Sequence, residues 1–123
     1  EAKAALSIGT RLYKERQFFT YDEVEWVQLL VESAEQARLD AFAKKKIGKL
    51  AEHDRVHGTN YLPTLFHYLD TGGSLVETAN RLFIHRNTVS YRMERIKAIV
   101  GFDAANARHR FELYLCTPYY LLK

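Results

Sequence analysis

Eight polar residues fall between positions 85 and 95: His85, Arg86, Asn87, Thr88, Ser90, Tyr91, Arg92 and Arg95. Arginine can place two parallel N–H donors on guanine, and asparagine can pair with adenine through a donor and an acceptor. On that chemistry Arg86, Asn87, Ser90 and Arg92 are candidates for contact with base edges or their surroundings. Hydroxyls, imidazole and a further guanidinium suit phosphate oxygens, which makes His85, Thr88, Tyr91 and Arg95 candidates for phosphate contact.

The charge distribution points to the same segment. The chain of 123 residues has a formal net charge of +3. Residues 1–80 hold ten Lys or Arg against twelve acids, whereas residues 81–100 hold Arg81, Arg86, Arg92, Arg95 and Lys97 against Glu94 alone. A positive field concentrated there suits a polyanion, and its placement says more than the total.

These side chains need two helices to position them. Ser74 to Glu77 reads S-x-x-E, a capping box, directly after the break at Gly72-Gly73. The helix it opens is expected to turn Leu75, Val76, Ala79, Leu82 and Phe83 inward. A second helix shows Val89, Met93, Ile96 and Val100 at spacings of four, three and four, with Ile84 as a plug between the two. The stretch 74–100 therefore reads as a helix-turn-helix, the shape that enters the major groove of duplex DNA. The N-terminus of its second helix adds free N–H groups and a positive dipole end for phosphate.

The rest of the chain reads as mainly α, a small bundle of five or six helices around that motif. Helical spacing is expected over 1–16, then from the capping box Thr20-x-x-Glu23 to about 32, and from a second box, Ser33-x-x-Gln36, to about 54. Further helices follow over 61–70, with the stripe Leu62, Leu65, Phe66 and Leu69, and from about 106, where Pro118 should kink or end the helix. QFFTY at 17–21 is aromatic and reads as one short strand. Lacking a partner strand, it and the first helix are expected to be left over from an upstream domain. That sets domains at 1–22 and 23–123, and the start at Glu1 without a methionine suggests a C-terminal piece of a longer protein.

A resemblance supports this division. Ala79 to Ile96, ANRLFIHRNTVSYRMERI, resembles the helix-turn-helix of the PucR/CdaR family of bacterial transcriptional regulators, with that family's His-Arg-Asn-Thr at 85–88 and Tyr-Arg at 91–92. The likeness extends upstream through Leu62-Pro63-Thr64-Leu65, Tyr68-Leu69 and Gly73, and downstream to Gly101-Phe102-Asp103. Residues 1–22 more loosely resemble the end of the GGDEF-like domain that precedes this module. Pro63 and Pro118 depart from the family's pattern. The resemblance implies a metabolite-responsive regulator whose upstream, absent domain binds a small-molecule effector and whose C-terminal domain binds promoter DNA, as a homodimer or higher oligomer.

Other chemistries find little support. No apolar run approaches the roughly 20 residues that cross a bilayer, the stretch EAKAALSIGT lacks the basic-then-apolar order of a signal peptide, and the lone Cys116 among Tyr114, Leu115 and Tyr119 reads as a small buried apolar residue. A cytoplasmic location is expected. His53 and His57 have the i, i+4 spacing of zinc ligands, with Asp54 beside them, but a third ligand is missing and they read as polar residues at a helix end. No catalytic constellation or phosphate loop stands out, so no enzyme activity, metal or cofactor is expected. Lys44-Lys45-Lys46 reads as a solvated face before a phosphate contact. Tyr114, Tyr119 and Tyr120 read as core or dimer packing before stacking on single strands. The competing reading of the helical pair is a protein-interaction module of the transcription machinery.

Overall fold

The computed structural model describes residues 2–14, 19–33 and 35–122. Among these, seven helices follow one another: α1 (Ala2–Leu12), α2 (Tyr21–Ser33), α3 (Gln36–His57), α4 (Tyr61–Asp70), α5 (Leu75–Leu82), α6 (Arg86–Val100) and α7 (Ala107–Leu121). The chain is all-α over the described residues, as its periodicities require.

The strand expected over 17–21 is not formed. Gln17 and Phe18 lie outside the described residues, Phe19 and Thr20 are irregular, and Tyr21 already belongs to α2. The aromatic character has a different use. The Phe19 ring lies directly over Gly9 of α1, where a methyl group would meet its Cε1 at 1.9 Å. Aromatic residues favour strands because they pack well on a pleated surface, and a helix with a glycine gap satisfies the same need. Thr20 and Glu23 close the expected capping box in both directions: the Thr20 N–H donates to Glu23 Oε1 at 2.8 Å and the Glu23 N–H to Thr20 Oγ1 at 3.3 Å.

The second box is not formed. α2 runs through Ser33, and the residue that caps α3 is Glu35, which makes no side-chain cap bond. Gln36 instead donates from Nε2 to the Val31 carbonyl at 2.9 Å, satisfying an orphan carbonyl at the end of α2. α3 reaches His57, three residues beyond expectation, and is kinked at the buried Ile47 (φ −135°, ψ 15°). α7 continues through Pro118 to Leu121 rather than stopping there. Proline removes one intrahelical donor, but Pro118 is buried and the Leu122 N–H donates to its carbonyl at 3.0 Å, so packing holds the last turn in place.

Two apolar cores share α4 and α7. The first joins Leu39, Ala43, Ile47 and Leu50 of α3 with Leu62 and Leu65 of α4, Ala79 of α5, Val89, Met93 and Ile96 of α6, and Leu113 and Cys116 of α7. The second joins Ala5, Ile8 and Leu12 of α1 with Val24 and Val27 of α2 and Phe66 of α4, and Tyr114 of α7 packs against it. α2 begins at Tyr21 and so contains residue 22, and α1 and α2 meet in this second core. No helix among the described residues is long and apolar enough to cross a membrane.

Candidate nucleic-acid interface

The motif begins at Ser74, whose Oγ accepts the Glu77 N–H at 3.1 Å and caps α5. α5 ends at Phe83, which takes the left-handed conformation (φ 55°, ψ 44°), so that the Ile84 N–H reaches the Ala79 carbonyl at 3.1 Å. The tight turn Phe83-Ile84-His85 follows, with Ile84 packed against the first core. α6 then lays Val89, Met93 and Ile96 on that core.

The inward face of α5 differs from expectation. Thr78 and Ala79 are buried and Leu82 half-buried, while Leu75, Val76 and Phe83 are 37%, 52% and 78% exposed. The left-handed turn takes Phe83 out of helical register, so its side chain no longer follows the stripe. Thr78 is buried at no polar cost, because its Oγ1 donates to the Ser74 carbonyl at 2.6 Å and meets Thr71 Oγ1 at 3.1 Å.

α5 is held against the rest of the bundle by a charge. Arg81 donates from Nη1 to Asp70 Oδ2 at 2.6 Å and meets His67 Nδ1 at 3.3 Å, and its guanidinium lies 5.8 Å from the Tyr13 ring centroid. Tyr13 and Tyr114 donate their hydroxyls to the same carboxylate. Burial and the negative Asp70 beside them push both phenols well above the ordinary tyrosine range, so they remain donors. Arg81 therefore belongs to the scaffold. Of the five bases counted between 81 and 100, Lys97 also has a partner, Glu94 at 3.6 Å.

The expected contact residues divide by exposure. His85, Arg86, Asn87, Ser90, Tyr91 and Arg95 are exposed, whereas Thr88 and Arg92 are half-buried. At 3.6 residues per turn, Asn87 and Tyr91 fall on the row opposite Val89, Met93 and Ile96, with Arg86 and Ser90 on one flank and Thr88, Arg92 and Arg95 on the other. Glu94 is exposed near the outer row, where Lys97 offsets its charge. The structure gathers all eight residues onto α6 and its cap, but Arg92 turns towards α4, where its Nη1 donates to Thr64 Oγ1 at 3.1 Å.

His85 has a defined role at the helix start. The Asn87 N–H can only donate, and it meets His85 Nδ1 at 3.0 Å, so Nδ1 accepts. In the neutral ring the proton then sits on Nε2, which leaves an N–H donor on the exposed side, of the kind a phosphate oxygen accepts.

His53 and Asp54 of α3 serve the start of α4. Asp54 accepts the Tyr61 and Leu62 N–H groups at 2.9 and 2.8 Å, together with the Thr59 hydroxyl, and so caps α4 from outside its own helix. His53 Nδ1 meets Thr59 Oγ1 at 3.0 Å while its ring stacks on Tyr61. Among the described residues no group of three or more His, Cys, Asp or Glu is placed to hold a metal ion. Local spacing could not have singled out Thr64, Asp70 or Asp54, because each acts on a partner in another helix.

Residues 61–117 match the family model described as the PucR C-terminal helix-turn-helix domain. The chain is 28% identical over 116 residues to the DNA-binding transcriptional activator AdeR of Bacillus subtilis (strain 168), covering 94% of this chain and 28% of that protein. It is 34% identical over 101 residues to the purine catabolism regulatory protein of the same organism, covering 82% of this chain and 19% of the relative. It is 29% identical over 115 residues to the carbohydrate diacid regulator of Escherichia coli (strain K12), covering 93% and 29%. The chain thus spans less than a third of the length of these relatives. No solved structure matches it.

Proposed function

We propose that this chain is the DNA-binding output domain of a PucR-type transcriptional regulator, and that residues 74–100 bind double-stranded DNA. The observation that carries the reading is the exposure of Arg86, Asn87, Ser90 and Tyr91 on the first two turns of α6, behind a His85 cap, inside the segment that matches the helix-turn-helix family. α6 enters the major groove. Arg86, Asn87 and Ser90 face base edges, and His85, Thr88, Tyr91 and Arg95 face phosphates. The domain acts by binding and not by catalysis, in the cytoplasm.

The relatives are named as a transcriptional activator, a purine catabolism regulatory protein and a carbohydrate diacid regulator, which supports a regulator whose upstream region answers to a small-molecule effector. On this reading residues 1–22 end an upstream, GGDEF-like domain and residues 23–123 form the DNA-binding domain. Because α1 packs on α2 and α7, the upstream region would meet the output domain through a packed joint. A homodimer would read inverted half-sites about one helical turn apart, or a multiple of that.

A second reading rests on Leu75, Val76 and Phe83, exposed apolar side chains at the two ends of α5, as contacts for a protein of the transcription machinery. Salt separates the two readings. Duplex binding falls steeply with added salt through counterion release, whereas docking on apolar side chains does not. The test is a salt titration of affinity for duplexes that the chain enriches from a randomised library.

A further inference from the structure

We infer that Arg92 is a positioning residue and not a base reader: its bond to Thr64 fixes the recognition helix α6 at one depth and rotation on α4. The inference rests on the DNA-binding reading and refines it.

Arg92 follows Val89 by three residues and precedes Ile96 by four, so it stands on the edge of the buried row of α6. From there its side chain, half-buried, crosses to α4 and donates from Nη1 to Thr64 Oγ1 at 3.1 Å. Thr64 is fully buried and beyond the reach of any ligand. Its single hydroxyl hydrogen is committed to the Asn60 carbonyl at 2.7 Å, so Oγ1 meets Arg92 as an acceptor. Guanidinium can only donate, and the directions of both bonds are therefore fixed.

The residue Arg92 grips is itself immobile. Asp54 caps the first turn of α4 through the Tyr61 and Leu62 N–H groups, and Asp70 anchors its last turn to Arg81 of α5. α4 is thus a rail held at both ends, and Arg92 reaches it from α6 on the flank away from Arg86 and Ser90. Swinging Arg92 out to a base edge would break a partly buried hydrogen bond to a charged group, a type worth more than a neutral one. Base discrimination then falls to Arg86, Asn87 and Ser90.

The test uses this chain and duplexes enriched by it from a randomised library. Thr64→Val, which removes the acceptor from a site that cannot touch DNA, is expected to lower affinity about tenfold, and Arg92→Met by a similar factor. The double variant should be no weaker than the weaker single one, because both break the same bond. Thr64→Ser keeps the oxygen and should restore affinity, which separates loss of the bond from loss of folding. Base preference at every operator position should stay as in the unsubstituted chain, and so should the slope of log affinity against log salt.

Three results would overturn the inference: a preference flattened at one position by Arg92→Met, a salt slope reduced by about one, as for a lost phosphate contact, or full affinity in Thr64→Val beside loss in Arg92→Met. If the unsubstituted chain enriches no duplex at all, the DNA-binding reading fails first and takes this refinement with it.

Discussion

Arg81 of α5 and Asp70 of α4 form a charge pair at 2.6 Å, with side chains only 22% and 9% exposed. Tyr13, just past α1, and Tyr114 of α7 donate to the same carboxylate. The orientation of the first helix of the motif is therefore set by one acidic side chain that four parts of the chain share.

Removing that carboxylate takes from Arg81 its anionic partner and from two tyrosine hydroxyls the acceptor they share. Breaking a buried pair from one side costs about 3–5 kcal/mol, and Asp70→Ala is expected near the lower end because Arg81 retains some solvent. Tyr13→Phe removes the hydrogen bond to Asp70 and should cost about 1 kcal/mol. Urea unfolding measures both. An Asp70→Ala chain as stable as the unsubstituted one would show that the cluster does not hold α5.

Gly9 leaves room for the Phe19 ring. Alanine is better in a helix by about 1 kcal/mol, so propensity alone favours Gly9→Ala. A methyl group at 1.9 Å from the ring must displace it, and overpacking of this kind costs about 1–3 kcal/mol. The expected net result is a loss of stability that disappears when Phe19 is also made alanine. A stabilised single variant would contradict the packing.

Phe83 holds a left-handed conformation at φ 55° with its side chain 78% exposed. A residue with a Cβ is strained there by about 1–3 kcal/mol, and little burial is lost on removing the ring. Phe83→Gly should raise stability by about 1 kcal/mol after the entropy of glycine is counted. A lower melting midpoint for this variant would mean that the exposed ring packs on something.

Burial, with Glu112 adding to it, pushes the Cys116 thiol up to about 12. The unfolded thiol titrates near 8.5, so the folded state binds the proton more tightly. Its contribution to stability is complete below that value and is lost as pH rises from about 8.5 to about 12. The raised phenols of Tyr13 and Tyr114 act with the same sign at higher pH. Melting midpoints should fall through this alkaline range, and a thiol reagent at pH 8 should label the native chain far more slowly than the denatured one. Rapid labelling of the native chain would show that Cys116 is open to solvent.

The parts of this fold that depend on local spacing were legible in the sequence. The stripes Leu39-Ala43-Ile47-Leu50 and Val89-Met93-Ile96 are buried as their periods require, and Thr20-x-x-Glu23 and Ser74-x-x-Glu77 start helices where they stand. What failed depends on distant partners. Phe19 reads as part of a strand until Gly9 is seen beneath it, Ser33 reads as a cap until Gln36 turns back to Val31, and Pro118 reads as a kink or a stop, whereas α7 runs on through it to Leu121. At the candidate interface Arg92 also has a distant partner. Its position on α6 identifies it as polar, but only Thr64, 28 residues earlier, shows which way it points.

The central claim is that the first two turns of α6 bind duplex DNA through Arg86 and Asn87. The most direct measurement is the affinity of the chain, and of Arg86→Ala and Asn87→Ala, for a library-enriched duplex between ~50 and ~200 mM salt. Affinity for the unsubstituted chain should fall steeply across that range, and each substitution should cost about 1–3 kcal/mol and relax preference at one base position. Affinity that is flat with salt and unchanged by both substitutions would contradict the account.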